Sequence, residues 1–268
     1  MKATGWIAVN VFRESVRDKV LYNLVAFAIM LMGASYLIGQ LTAGQDVKII
    51  KDLGLAATSV FGLFIAVFIG IGLVSKEVER KSIYSLLAKP VHRHQIVTGK
   101  YLGLVLTLIV NVAIMALALY VVLGYMSWMA DESTRLSWEA PATDPAMLKA
   151  IFLILVELAV VTAIALFFST FSTPILSAAF TFGFYVAGHF SADLRNFGQV
   201  VDSPAAAAVA RALYWVLPNL TPFDVEAQVV HAQPVTAGYI AITVAYGATY
   251  IAILLALALF IFSRRDFK

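Results

Sequence analysis

Apolar positions fall into six long runs separated by shorter polar intervals, at roughly 20–41, 53–75, 101–125, 148–172, 174–191 and 236–262. A helix needs about 20 apolar residues to cross a hydrocarbon core of about 30 Å, so this pattern predicts six transmembrane helices. The fifth run is the shortest. Pro174 stands at its start, where a helix loses no hydrogen bond for want of an N–H. Only a few residues, among them Ser169, Thr170, Ser172 and Thr173, separate runs four and five. That spacing predicts a tight helical hairpin whose hydroxyls satisfy the backbone groups freed at its turn. Ahead of the first run, Trp6, Val9, Phe12, Val16 and Val20 recur at steps of three or four, with Arg13, Glu14, Arg17 and Asp18 between them. Residues 1–19 therefore read as an amphipathic helix lying in the membrane interface, or as the plain flank of the first span. No apolar run followed by a small-residue cleavage site occurs there, so a signal peptide is not expected.

Two polar intervals are long. Residues 126–147 carry Trp128 and Trp138, suited to an aromatic belt at the membrane surface. Residues 192–235 are too polar to span, yet they contain AAAAVARALYWVLP at 205–218, too short to cross but apolar enough to enter. This predicts a re-entrant or interfacial segment before span six, closed by Pro218 and Pro222. The expected fold is an all-α polytopic membrane protein, a single transmembrane domain over 1–268. No internal repeat is visible, which argues against inverted-repeat secondary transporters.

Composition sharpens this picture. Of 268 residues, 61% are hydrophobic and 13% charged, far from the balance of soluble domains, and too apolar for a soluble surface or a disordered chain. Cysteine is absent, which excludes disulfides, thiolate nucleophiles and thiolate metal sites. Lys2, Arg13, Arg17, Lys19, Lys76, Arg80, Lys81, Lys89, Arg93, Lys100, Arg264, Arg265 and Lys268 fall on one side of the expected spans, thirteen of the nineteen basic residues. The positive-inside rule puts both termini and the 76–100 loop in the cytoplasm.

That loop, SKEVERKSIYSLLAKPVHRHQIVTGKYLG at 75–103, is the most informative stretch. Its front half reads as a helix in which Glu77 precedes Lys81 by four positions, the favourable order for an ion pair. Pro90 ends that helix, and a second one then runs into span three. Helix connections usually need only 2–8 residues. The segment reads equally as a docking element and as a solvated helix whose charges enforce topology.

The run EVERKSIYSLLAKPVHRHQIVTGKYLG resembles the signature that follows the second span of ABC-2 type permeases, through Glu77, Glu79, Arg80, Ser82, Leu86, Leu87, Pro90, Arg93, Gly99 and Lys100. Lys81 departs from the glycine common there. ELAVVTAIALFFSTFSTPI (157–175) and VLPNLTPFDV (216–225) are similar to that family's hairpin of spans four and five and its outer segment before the last span. Within the family the chain looks closest to the permeases of multicopper-enzyme maturation systems. The resemblance implies a half-transporter in a bacterial inner membrane, paired with a second copy and driven by two cytoplasmic ATPase subunits that hold ATP and magnesium. This chain itself would need no cofactor. The resemblance also implies that 76–100 holds a coupling helix, with Glu77, Glu79, Arg80, Lys81, Leu86 and Leu87 docking on the ATPase, and Pro90 and Arg93 fixing its far end. An ATP site of its own is not expected. A P-loop needs G-x-x-x-x-G-K-[ST], whereas here His94 stands five before Gly99 and Tyr101 follows Lys100.

Glu157 lies about ten residues into span four, and a carboxylate in the membrane is costly enough to suggest a role. It could relay protons, touch substrate or gate a pathway. It could also bridge spans by hydrogen bonds, with Thr162 or Asn111 as partner. His92 and His94 flank Arg93, which opposes a metal cation there. His189 and His231 read as lone histidines near the outer surface. Two other function classes stay open, a scaffold or signalling protein docking a non-ATPase partner, and an intramembrane enzyme, which would need converging acids or histidines within the spans.

Overall fold

The computed structural model describes residues 2–40, 46–79, 92–191 and 203–264. Every regular element among them is helical: α1 (Lys2–Ser15), α2 (Lys19–Gln40), α3 (Asp46–Glu79), α4 (Arg93–Met129), α5 (Glu132–Leu136), α6 (Met147–Ser169), α7 (Pro174–His189), α8 (Pro204–Val216), a 3₁₀ turn (Thr221–Phe223), α9 (Glu226–Val230) and α10 (Ala237–Arg264). Five of them, α2, α3, α4, α6 and α10, are long and apolar enough to cross a membrane. The expected fifth span is α7, whose 16 residues reach about 24 Å, short of a full hydrocarbon core.

The physical reason for this shortness is visible where α7 ends. Gly188, one residue before its last, accepts a hydrogen bond on its carbonyl from the Leu220 N–H at 3.1 Å. A Cβ added at Gly188 would lie 2.8 Å from the Pro218 carbonyl oxygen. The outer segment thus seats directly on the end of α7.

Helix α6 is the centre of the bundle and packs against α3, α4, α7, α9, α10 and the 3₁₀ turn. Its approach to α3 is close because α3 presents glycine: a Cβ at Gly70 would lie 2.7 Å from Ala165 Cβ. At the hairpin between α6 and α7, Ser169 and Thr170 hydroxyls donate to the Leu166 and Phe167 carbonyls at 2.7 Å each. Helix α7 then opens with Pro174 in its first turn. The rings of Phe168, Phe171, Phe180 and Phe184 pack around this corner, with centroids 5.0–5.8 Å from Phe168.

Helix α1 lays one face on α4 and leaves another exposed. Val11 and Ser15 are buried, while Trp6 is 74% exposed. The buried face lies on α4, where a Cβ at Gly99 would meet Ile7 and the Thr4 carbonyl, and one at Gly103 would fall 2.6 Å from the Ala8 carbonyl oxygen. Backbone contact through two glycines, rather than apolar area, selects this face. Asp18 ends the break before α2, its carboxylate accepting the Val20 N–H at 3.0 Å as an N-cap does.

Candidate functional site

Two places combine polar chemistry with built geometry, one at an end of the bundle and one inside it. The first is the junction of α3 and α4. Helix α3 runs unbroken through its apolar stretch Asp46–Ile71 and on to Glu79, a rod of about 51 Å at 1.5 Å per residue. Helix α4, with 37 residues, reaches about 55 Å. Both exceed the membrane core, and residues 80–92 connect them. Glu77 and Glu79 therefore lie on the last turns of α3 rather than on a separate helix. Arg93 is the first residue of α4. Arg80, Lys81, Leu86, Leu87 and Pro90 lie outside the described residues. The His92 N–H donates to Gln95 Oε1 at 3.3 Å, and the exposed rings of His92 and His94 stack with centroids 5.4 Å apart. Immediately beyond comes the α1 contact, so the Gly99–Lys100 pair serves helix packing: Gly99 lies under Ile7, and Lys100 is buried.

The second place lies within the membrane. Glu157 is 2% exposed at the middle of α6. Its expected partners are committed elsewhere: Thr162 donates to the Leu158 carbonyl at 2.8 Å, and Asn111 to the Thr107 carbonyl at 2.6 Å, each within its own helix. The partner is His189, whose Nε2 stands 3.3 Å from Glu157 Oε1. His189 is thus no lone surface histidine. Its Nδ1 lies 3.1 Å from the Tyr185 carbonyl oxygen one turn back, and its ring packs on Tyr185 at 4.5 Å. Sequence spacing could not show this, since 32 residues and a hairpin turn separate the two groups. The one available signal was that run five is the shortest of the six.

The outer segment closes over this pair. Phe223 is fully buried and reaches Gly247 of α10, where a Cβ would lie 3.2 Å from its ring. Val225, Val229 and Val230 join the core. Asp224 and Glu226 come with them. Burial, then the neighbouring Asp224 and Asp52 carboxylates, push the Glu226 carboxyl up to about 7. Further out, Lys48 pairs with Glu139, and that hydrogen bond holds the Glu139 carboxyl below its usual range. His231 Nδ1 approaches the same carboxylate at 4.0 Å. Lys51 and Lys149 donate to the carbonyls of Pro141 and Val235 at 2.8 and 2.9 Å, tying the outer loops to α3 and α6.

Among the described residues, a helical bundle with five membrane-length helices, one of which, α6, is buried at its centre and carries Glu157, defines a multi-pass membrane protein. Over residues 5–267 the sequence matches the family described as ABC-2 family transporter protein, and the chain belongs to that family. No curated protein matches the sequence. Members of the family are the membrane component of ABC transporters, which work by transport rather than catalysis and normally pair with an ABC ATPase.

Proposed function

We propose that this chain is the permease subunit of an ATP-driven exporter and that a separate cytoplasmic ATPase, holding ATP and magnesium, docks on the segment joining α3 and α4. The observation that carries this reading is the overshoot of those two helices beyond the membrane core at the end where residues 80–92 connect them. A rigid helix transmits displacement along its length. Movement of the charged segment passes into α4 and, through Gly99 and Gly103, into α1. It passes equally into α3 and, through Gly70, into α6.

In this reading the chain sits in a bacterial inner membrane as one half of a homodimer, with both termini cytoplasmic. Helix α1 is interfacial, its exposed Trp6 toward lipid. A sixth crossing is completed by α7 together with the outer segment that dips to meet it. Residues 77, 79, 80, 81, 86, 87, 90 and 93 are the docking surface. The pairing of Glu79→Arg with Leu87→Asp tests it: co-purification of the cognate ATPase is lost while the permease still folds and inserts. Undiminished ATPase binding by a well-folded double variant overturns the docking assignment.

A further inference from the structure

We infer that Glu157 and His189 form a binding site for a single proton inside the membrane, and that this shared proton clamps the end of α7 to α6. The deduction needs only hydrogen-bonding valence. His189 Nδ1 faces the Tyr185 carbonyl oxygen at 3.1 Å, and a carbonyl can only accept, so Nδ1 carries a hydrogen. In a neutral ring, Nε2 then bears a lone pair. Nε2 stands 3.3 Å from Glu157 Oε1, a buried oxygen with no hydrogen-bond partner among the described residues. Two lone pairs facing each other are strongly unfavourable where one of them, on Glu157, is buried, the His189 side chain being 27% exposed. Reversing the tautomer only moves the clash to the carbonyl. The contact therefore requires one proton more than a neutral histidine and a carboxylate supply. With that proton the pair is either a carboxylic acid bonded to imidazole or a carboxylate bonded to imidazolium, and its net charge is zero in both forms. Release of the proton to water leaves a net negative charge in the bundle, which burial does not tolerate.

The surroundings make that charge harder to hold. Tyr185 on α7, hydrogen-bonded to Ser59 of α3, adjoins the pair, and Asp224 and Glu226 face it from the outer segment. Asp52 on α3 borders Glu226. Helix α4 brings Tyr101, which donates to the Ala159 carbonyl, and α10 brings Tyr246, against Phe223. The cations in the outer turns of α3 and α6, Lys48, Lys51 and Lys149, are engaged with Glu139, Pro141 and Val235. None of these groups supplies the positive charge that would replace the proton. What the clamp holds is specific: His189 ends α7, its carbonyl accepts the Thr221 hydroxyl at 3.2 Å, and the preceding Gly188 carbonyl accepts the Leu220 N–H at 3.1 Å. Loss of the proton frees α7 and the outer segment together.

The full chain in lipid nanodiscs tests this without an ATPase, so its outcome is separate from that of the docking experiment. Hydrogen exchange at Leu217–Phe223 is compared between wild type and Glu157→Gln at each pH, and the intrinsic pH dependence of exchange cancels in the ratio. The Gln amide donates to Nε2 without titrating. The two proteins exchange alike at low pH; above one step the wild type exchanges faster, by about tenfold per pH unit, the slope of one released proton. Glu157→Leu exchanges fast at every pH. A ratio independent of pH, or protection in Glu157→Leu equal to wild type, overturns the clamp. Nitrogen NMR of labelled His189 in the unmodified chain tests the proton itself: Nε2 shows a protonated or proton-sharing shift, and a bare lone-pair shift at low and neutral pH overturns the proposal even if the variants fail to fold.

Discussion

Helices α6 and α10 are similar in composition, long runs of Ala, Ile, Leu, Val and Phe, yet 72% of the apolar stretch of α6 is buried inside the protein against 17% for α10. Lipid tails and protein interiors are equally apolar, so hydrophobicity alone does not say which one a helix faces. The difference comes from what the neighbours present. Helix α3 offers glycines to α6, so the two backbones come close. Helix α10 meets the bundle along one seam, with Leu254, Ala258 and Phe262 buried there and Ile242, Ile253 and Phe260 exposed. Polar groups follow the same division. The buried Glu157 lies on the enclosed helix, where a partner can be provided.

The contrast can be broken most severely where the outer segment joins the two helices. Phe223→Ala empties a fully buried site between α6 and α10 and is expected to cost about 3–5 kcal/mol, read as a large fall in thermal stability of the detergent-solubilised chain. Next comes Gly70→Val, which drives a branched side chain into Ala165 of α6; the expected loss is about 1–3 kcal/mol, measured the same way. A smaller effect depends on pH. The Glu226 carboxyl rises from 4.5 to about 7 in the folded chain, so the folded state binds its proton more tightly than the unfolded state. Its contribution to stability is present at pH 4 and is lost as pH rises toward 7. Glu226→Gln removes that slope. Its Tm relative to wild type should rise between pH 4 and pH 8, and an unchanged difference would show that Glu226 is solvated like an ordinary carboxylate. The smallest effect belongs to α10's open face, where Ile242→Ala, at a residue 74% exposed, changes stability by no more than about 0.5 kcal/mol. A loss comparable to that of Gly70→Val would mean that Ile242 faces protein, not lipid.

Much of this architecture was legible along the chain. The apolar runs at 20–41, 53–75, 101–125, 148–172 and 236–262 correspond to α2, α3, α4, α6 and α10, because about 20 apolar residues have few other ways to be buried. The hairpin at 169–174 followed from its hydroxyls and Pro174. The proposed docking segment came from the resemblance of 77–100 to the family signature, and most of its residues lie outside the described ones. One reading required correction, and one contact could not be read. The apolar spacing of α1 gave Trp6, Val9, Phe12, Val16 and Val20 as one face of an interfacial helix, and it could not show that Gly99 and Gly103 of α4 take the face of Val11 and Ser15. The corrected reading is that of His189 as a lone histidine: it stands 3.3 Å from Glu157, whereas Thr162 and Asn111, the possible partners in the bridging alternative, each bond their own backbone.

Hydrophobic length is a local quantity, and it sufficed to make this chain a helical membrane protein; the run from Glu77 to Lys100, through its resemblance to a known signature, pointed to the transporter family. The end of α7 is a different matter. Whether 174–191 crosses the membrane depends on Pro218 and Leu220 reaching Gly188, and whether Glu157 is paired depends on His189 arriving there as a consequence. Both are contacts between segments about 30 residues apart or more, governed by the space a glycine leaves and by where a helix stops, and neither property is carried by the residues of one segment alone.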